Sequence, residues 1–412
     1  LFSHVVAHNP EARDAHLNLG SALFDEDRYD EGLAATRIAV EQRPDSAGAL
    51  ANLGRALIHF GRLQEAEEHL RRAVEVDPRS TTAHQNLAET LRKQERFADA
   101  VESYRAVLAI DEGHRAFAYA GMGMALFGAG RYAEALDATA EALSLQPELP
   151  NAAMLYVHMG RSARELGRLD EAAAHFERGT VVDPHDVEPL LELADVRVRQ
   201  GRSEEGERIL ADVLERRSGD PASVHRVAET LRTWGRHEKA IASYRAALRA
   251  DADFAPSYAG LGIALFQTER YEEAIEALQR ALALQPDLSI AGSSLRVFLG
   301  RAAQRLGRPD AAEHFARAVR DDPSDYEALD HLASVRFGQE RYQDALALYQ
   351  TMTELDPDNA MTHSNLGAAL FHLGRLEEAL ISVERALALD PDLEAARIGL
   401  RAVHDAQARP QR

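Results

Sequence analysis

The chain has 412 residues, 45% hydrophobic and 28% charged, with a net charge of −20 and no cysteine. That composition describes a folded, soluble chain whose acidity opposes a nucleic-acid backbone, and the missing cysteines exclude disulfides, thiolate catalysis and Cys-ligated zinc. No apolar run approaches the roughly 18 residues that a bilayer crossing needs, so direct membrane insertion is not expected.

Residues 1–12, with Pro10 near their end, read as the tail of a truncated repeat's second helix, so the chain is expected to be a fragment or a processed product. From residue 13 onward a unit of about 34 residues recurs. The segments "GRLQEAEEHLRRAVEVDP" (61–78), "GRLDEAAAHFERGTVVDP" (167–184) and "GRLEEALISVERALALDP" (374–391) show its second half. Each opens with Gly, keeps Ala at the sixth place and Ala or Gly at the thirteenth, and stops at Asp-Pro. Apolar residues recur at every third or fourth position, which marks an amphipathic helix. Proline cannot continue a helix, and the leading glycine supplies a turn where positive φ is cheap. Upstream of the glycine lies another periodic run, such as "ALANLGRALIHF" before Gly61. One unit is therefore helix, turn, helix, turn.

The predicted units are 13–46, 47–80, 81–115, 116–152, 153–186, 187–220, 221–254, 255–292, 293–325, 326–359 and 360–393, and residues 394–412 hold one capping helix and a tail. A longer period overlies them. The stretch from Gly121, "GMGMALFGAGRYAEALDATAEALSLQPEL", matches the one from Gly260 at 16 of 29 positions, and both run into lengthened turns at 146–153 and 285–292. Blocks 13–152 and 153–292 thus read as four-unit groups, followed by 293–393. Unit nine lacks one residue in "GRPDAAEHF" (307–315), where an irregularity is expected.

Small residues mark where helices must touch: Gly54, Gly123, Gly262 and Gly367 on first helices, and Ala66, Ala100, Ala172, Ala240, Ala274, Ala345 and Ala379 on second helices. Leu53, Leu57, Leu126 and Leu265 fill the space between. This pattern, closed by Pro and recurring in register, resembles the tetratricopeptide repeat, in the form of a bacterial-type multi-repeat array. The resemblance implies an all-α, right-handed α-solenoid superhelix of about eleven hairpins plus a C-terminal capping helix. It also implies that first helices line a concave groove, with the second, fifth, sixth, ninth, twelfth and thirteenth positions facing inward.

Three sets of groove residues follow. Asn18, Asn52, Asn86 and Asn365 occupy the sixth position and resemble the asparagine ladder of O-linked N-acetylglucosamine transferases, whose amides pair with a peptide backbone. Phe24, Phe127, Phe266, Phe337 and Phe371 occupy the twelfth and either receive partner side chains or tuck against the next unit. Arg161, Arg164, Arg199, Arg226, Arg232, Arg301 and Arg305 make an arginine-rich middle that suits an acidic peptide, unless Glu192, Asp195 and Glu229 neutralise it. Over all units the six inward positions hold ten basic and ten acidic residues. The fifth position, with Leu17, Ala51, Gln85 and Ala120 among its residues, lacks the Lys of the family's carboxylate clamp for chaperone tails.

Nothing in the sequence argues for catalysis, a cofactor or a metal. His69, His175 and His314 occupy one repeated place, His4 and His8 stand at a terminus without a carboxylate, and Trp234 reads as packing. No HExxH, GxSxG, P-loop or dinucleotide fingerprint occurs. The expected function is a protein–protein interaction scaffold that binds a peptide or partner protein in its groove. The alternatives are the substrate-recruiting region of a larger enzyme, such as a glycosyltransferase, and a scaffold that self-associates through its ends. A cysteine-free chain suits the cytoplasm, which is the expectation, and equally the periplasm.

Overall fold

In a computed structural model that describes residues 15–26, 28–290 and 293–408, several first helices begin at a capping side chain. Ser46, Ser80, Asp325 and Asn359 accept hydrogen bonds from the backbone N–H of Ala49, Ala83, Ala328 and Thr362, which satisfies donors that a helix start leaves open. Predicted residues 1–12 and the tail after 408 lie outside the described residues.

The chain forms two units, Leu1–Asp212 and Val213–Arg412. The first contains the hairpins Ala15–Asp25/Tyr29–Gln42, Ala47–His59/Leu63–Val76, Thr81–Lys93/Phe97–Ile110, Arg115–Gly128/Tyr132–Leu145 and Ala152–Glu165/Leu169–Val182, then helix Glu188–Arg199. Helix Ser203–Arg216 runs across the division. The second contains Pro221–Thr233/His237–Ala250, Ala255–Gln267/Tyr271–Leu284, Leu295–Arg305/Ala311–Asp321, Tyr326–Gly338/Tyr342–Leu355 and Ala360–His372/Leu376–Leu389. Helix Glu394–Gln407 follows and packs on both helices of the last hairpin, with Ala396 and Val403 buried. These hairpins are numbered 1 to 11 below, with Glu188–Arg199 opening repeat 6.

Within a hairpin the two helices meet at a left-handed turn residue. Gly61, Gly130, Gly167, Gly201, Gly235, Gly307 and Gly374 all have positive φ, as their lack of a Cβ permits. The next residue closes the turn by donating back over the helix end, as Arg62 N–H does to the Leu57 carbonyl at 2.9 Å. Repeats 3, 8 and 10 place Glu95, Glu269 and Glu340 there, at φ near +60°, a conformation that costs a side-chain-bearing residue about 1 kcal/mol. Second helices end at Gln42, Val76, Val182 and Leu355, two residues before Pro44, Pro78, Pro184 and Pro357.

The small residues lie at the helix contacts. Ala66, Ala100, Ala172, Ala240, Ala274, Ala345 and Ala379 have no exposed surface. A Cβ on Gly262 would stand 2.6 Å from Leu278, itself fully buried, and glycines 54, 123 and 367 face Leu70, Thr139 and Val383 in the same way. Each such leucine contributes about 2 kcal/mol by leaving water, provided its neighbour stays small.

Repeat 9 shows its missing residue. Gly160 meets Phe176, sixteen residues on, but Gly300 meets Phe315 after fifteen, and helix Ala311–Asp321 is 11 residues long where its counterparts have 14. The first lengthened turn buries Leu149. At the second, Ser289–Ile290 and Ser293–Ser294 form a two-residue antiparallel ladder. Everything else regular among the described residues is helical.

Candidate functional site: the face of the first helices

The predicted asparagine ladder is partly spent inside the fold. Asn52 donates to the Ser21 hydroxyl at 2.7 Å, and Asn86 donates to the Ala51 carbonyl at 3.2 Å, so each ties its helix to the first helix before it. Asn18 is exposed and Asn365 half-buried.

The aromatic positions pack onward rather than outward. Phe24 is buried, with Arg55 of the next repeat 5.2 Å above its ring. Phe127 meets His158, Phe266 meets Phe298 and Phe337 meets His372, each edge to face at 5.4–6.0 Å and each across a repeat boundary. Phe371 lies against His372. Phe24, Phe127, Phe266 and Phe337 thus lie at the seams between repeats.

The arginine-rich middle is neutralised by carboxylates of this chain. In the first unit Arg161 pairs with Glu192 at 2.5 Å and with Glu188, Arg164 pairs with Glu192 and reaches Asp195 at 3.5 Å, and Arg199 pairs with Asp195 at 2.7 Å. In the second unit Arg232 pairs with Glu229 at 2.7 Å and Arg301 with Glu327 at 3.0 Å. Arg226 also has a partner, and Arg305 is exposed. The Arg164 and Glu192 side chains are 17% and 13% exposed, where a lone charge would be expensive, so each demands the other. Five of the seven arginines thus face carboxylates, and the expected attraction for an acidic ligand is largely cancelled.

Beneath this face runs a network that the sequence alone did not single out. In repeat 3, Arg92 forks onto Glu89 at 2.7 and 2.9 Å, and the Tyr104 ring fills the space beside Gly121. In repeat 7, Arg232 pairs with Glu229, Tyr244 donates to the same carboxylate, and its ring fills the space beside Gly260. Both stretches read "AETLR", at 88–92 and 228–232, with "SYRA" following at 103–106 and 243–246, so the signal was present. Burial, joined by the neighbouring Glu229 charge, raises the Tyr244 hydroxyl far above its ordinary value. Burial also opposes the charge on Glu229, but bonds from Arg232 and Tyr244 outweigh it and hold its pKa below the usual one.

His158, beside Phe127, is pushed down to about 4 by burial and then by the charges of Arg161 and Arg92. Burial likewise lowers His175 and His314, and among the described residues no three His, Asp or Glu side chains are grouped to hold a metal ion. His4 and His8 lie outside the described residues. Among those residues no helix is long and apolar enough to cross a membrane.

Besides Asn18 and Arg305, apolar side chains remain open on this face. Phe117 and Met154, at the second position of repeats 4 and 5, are 41% and 43% exposed, and Met361 holds the same position in repeat 11. The second position was among those expected to face inward, yet these three went unnoticed because no spacing signal distinguishes them.

Five family models, each described as a tetratricopeptide repeat, match the chain at residues 23–91, 78–148, 120–186, 163–229, 222–254, 255–288, 299–360 and 331–394. Over 114 residues the chain is 38% identical to the Hsp70-Hsp90 organizing protein of Triticum aestivum, covering 27% of this chain and 20% of that protein. Over 228 residues it is 25% identical to the protein O-mannosyl-transferase TMTC1 of Homo sapiens, covering 55% and 25%. The chain thus spans a quarter or less of these relatives' length. Among solved structures, YrrB, described as a TPR protein with an unusual peptide-binding site, is 26% identical with a TM-score of 0.41, over 47% of this chain and 97% of that one. PilW, a type IV pilus biogenesis factor, is 18% identical with a TM-score of 0.46, over 49% and 92%.

Proposed function

The chain belongs to the tetratricopeptide-repeat family, and on that premise we propose that it is a protein–protein interaction scaffold whose first-helix face receives a segment of a partner protein. The observation that carries this reading is the exposure of Phe117 and Met154 at one position of consecutive first helices, whose other large apolar residues are buried or half-buried. Exposed aromatic and methionine side chains of this kind are the usual anchors of a protein contact. The paired Arg161 and Arg164, on the same helix as Met154, offer N–H donors without net charge, which favours a neutral or mixed segment over a strongly acidic one.

Affinity capture tests this with three baits: the unaltered chain, Phe117→Ser/Met154→Ser, and Arg161→Glu/Arg164→Glu. Loss of the same captured proteins with the first variant supports the reading, and equal capture by all three baits sinks it. The TMTC1 match favours a second reading, in which the array recruits substrate for a larger enzyme. A reading frame that continues into a transferase domain would establish that version.

A further inference from the structure

We propose that the groove between the second helices of repeats 3 and 4 docks a basic, amphipathic segment of a partner protein. This surface is separate from the first-helix face. The groove, about 340 Å³, is floored by Tyr119, Met122, Leu126 and Ala138 and rimmed by Arg105, Glu134, Asp137 and Glu141. Leu126 and Ala138 are buried, whereas Tyr119 and Met122 remain partly open, so the floor offers apolar surface to a guest.

The rim carries the sign of that guest. Helix Tyr132–Leu145 bears Glu134, Asp137 and Glu141 and no basic residue. Glu134 is satisfied by Arg131 at 2.6 Å, and Arg105 by Glu102 at 2.8 Å. Asp137 and Glu141, one turn apart and exposed, have no cationic partner among the described residues. A lysine or arginine laid across the groove puts its aliphatic stem on Tyr119 and Met122 and its charge between these two carboxylates.

The chain contains its own contrast. Repeat 8 repeats the floor with Tyr258, Leu261, Leu265 and Ala277, but where repeat 4 has Glu141 it has Arg280, which pairs with Asp253 at 2.8 Å. Arg245, the counterpart of Arg105, pairs there with Glu273 at 2.8 Å. The rim of repeat 8 thus carries a basic residue where repeat 4 carries a third carboxylate.

The probe is a fluorescein-labelled amphipathic Lys/Leu peptide titrated with the full chain and read by anisotropy, beside a Lys-only and a Glu/Leu peptide. The Lys/Leu peptide is expected to bind more tightly than both. Glu141→Arg, which copies repeat 8, is expected to weaken it about tenfold, whereas Glu272→Gln/Glu276→Gln in repeat 8 changes it little. Arg280→Glu is expected to add a second binding equivalent. Phe117→Ser/Met154→Ser leaves this binding intact, so it can fail independently of the first-helix reading. Absent binding, equal weakening by the two repeat-8 neutralisations, or equal affinity for the Lys-only peptide would each overturn the proposal. Glu141 is exposed, and an unchanged thermal melt of Glu141→Arg confirms that the fold is intact.

Discussion

Repeats 3 to 5 of the first unit and repeats 7 to 9 of the second are two versions of one design, and their differences are not spread evenly. The interior is shared: Glu89, Arg92, Tyr104 and Gly121 reappear as Glu229, Arg232, Tyr244 and Gly260, with each tyrosine ring lying over its glycine. The Arg161–Glu188 pair reappears as Arg301–Glu327. The surface diverges: Phe117, Glu141 and Met154 correspond to Pro256, Arg280 and Ser294, and below it the half-buried His158 corresponds to Phe298. Packing tolerates little change, because an altered interior loses several kcal/mol at one site, whereas exposed positions drift freely. The two units therefore share one frame and vary the residues that they present.

The sharpest test of the shared frame is overpacking. Gly123→Leu and Gly262→Leu force a side chain into Thr139 and Leu278 respectively, and each is expected to cost about 3 kcal/mol in urea unfolding. Similar losses establish that the two units use one packing rule, and a tolerated leucine in either breaks the equivalence.

Acid sensitivity at one matched position separates the units next. The His158 ring is held neutral in the fold, with a pKa of about 4 against 6.5, so between those values the unfolded chain binds more protons. Stability at this site is full above pH 6.5, falls as the pH drops toward 4, and is lost below that, by an amount on the order of 2–3 kcal/mol. His158→Phe, which installs the residue of repeat 9, should flatten that part of the pH–stability curve. An unchanged slope would mean that the ring is already wet.

Tyr244→Phe removes the hydroxyl donated to a half-buried carboxylate and should cost about 1–2 kcal/mol. Tyr104→Phe should cost less, since Glu89 is already gripped by both arms of Arg92. Equal costs would erase that distinction. The smallest effect has the opposite sign: Glu95→Gly, Glu269→Gly and Glu340→Gly relieve a left-handed backbone and should each stabilise by about 0.5–1 kcal/mol.

The helical frame was legible in the sequence because its causes are local. Glycine at a turn, proline after Asp and small residues at fixed places act within one hairpin, and Gly61, Pro78 and Ala66 did what their chemistry demands. The candidate site was less legible because its partners are one repeat away. Arg161 finds Glu188 and Glu192, 27 and 31 residues downstream, and a linear reading cannot tell an internal carboxylate from a ligand's. The equal tally of ten basic and ten acidic inward residues already held the answer. Phe117 and Met154 carried no periodic signal, and only their exposure distinguished them.

The missing residue of repeat 9 is absorbed where it occurs: the helix starting at Ala311 begins late, Phe315 still reaches Gly300, and Pro323 restarts the count for Tyr326. Each hairpin behaves as a separate line of type, so a misprint in one does not smear the lines below. A gene built this way can copy whole lines, drop a letter or lengthen a margin and still be set in order, which makes it a ready substrate for duplication followed by rewording.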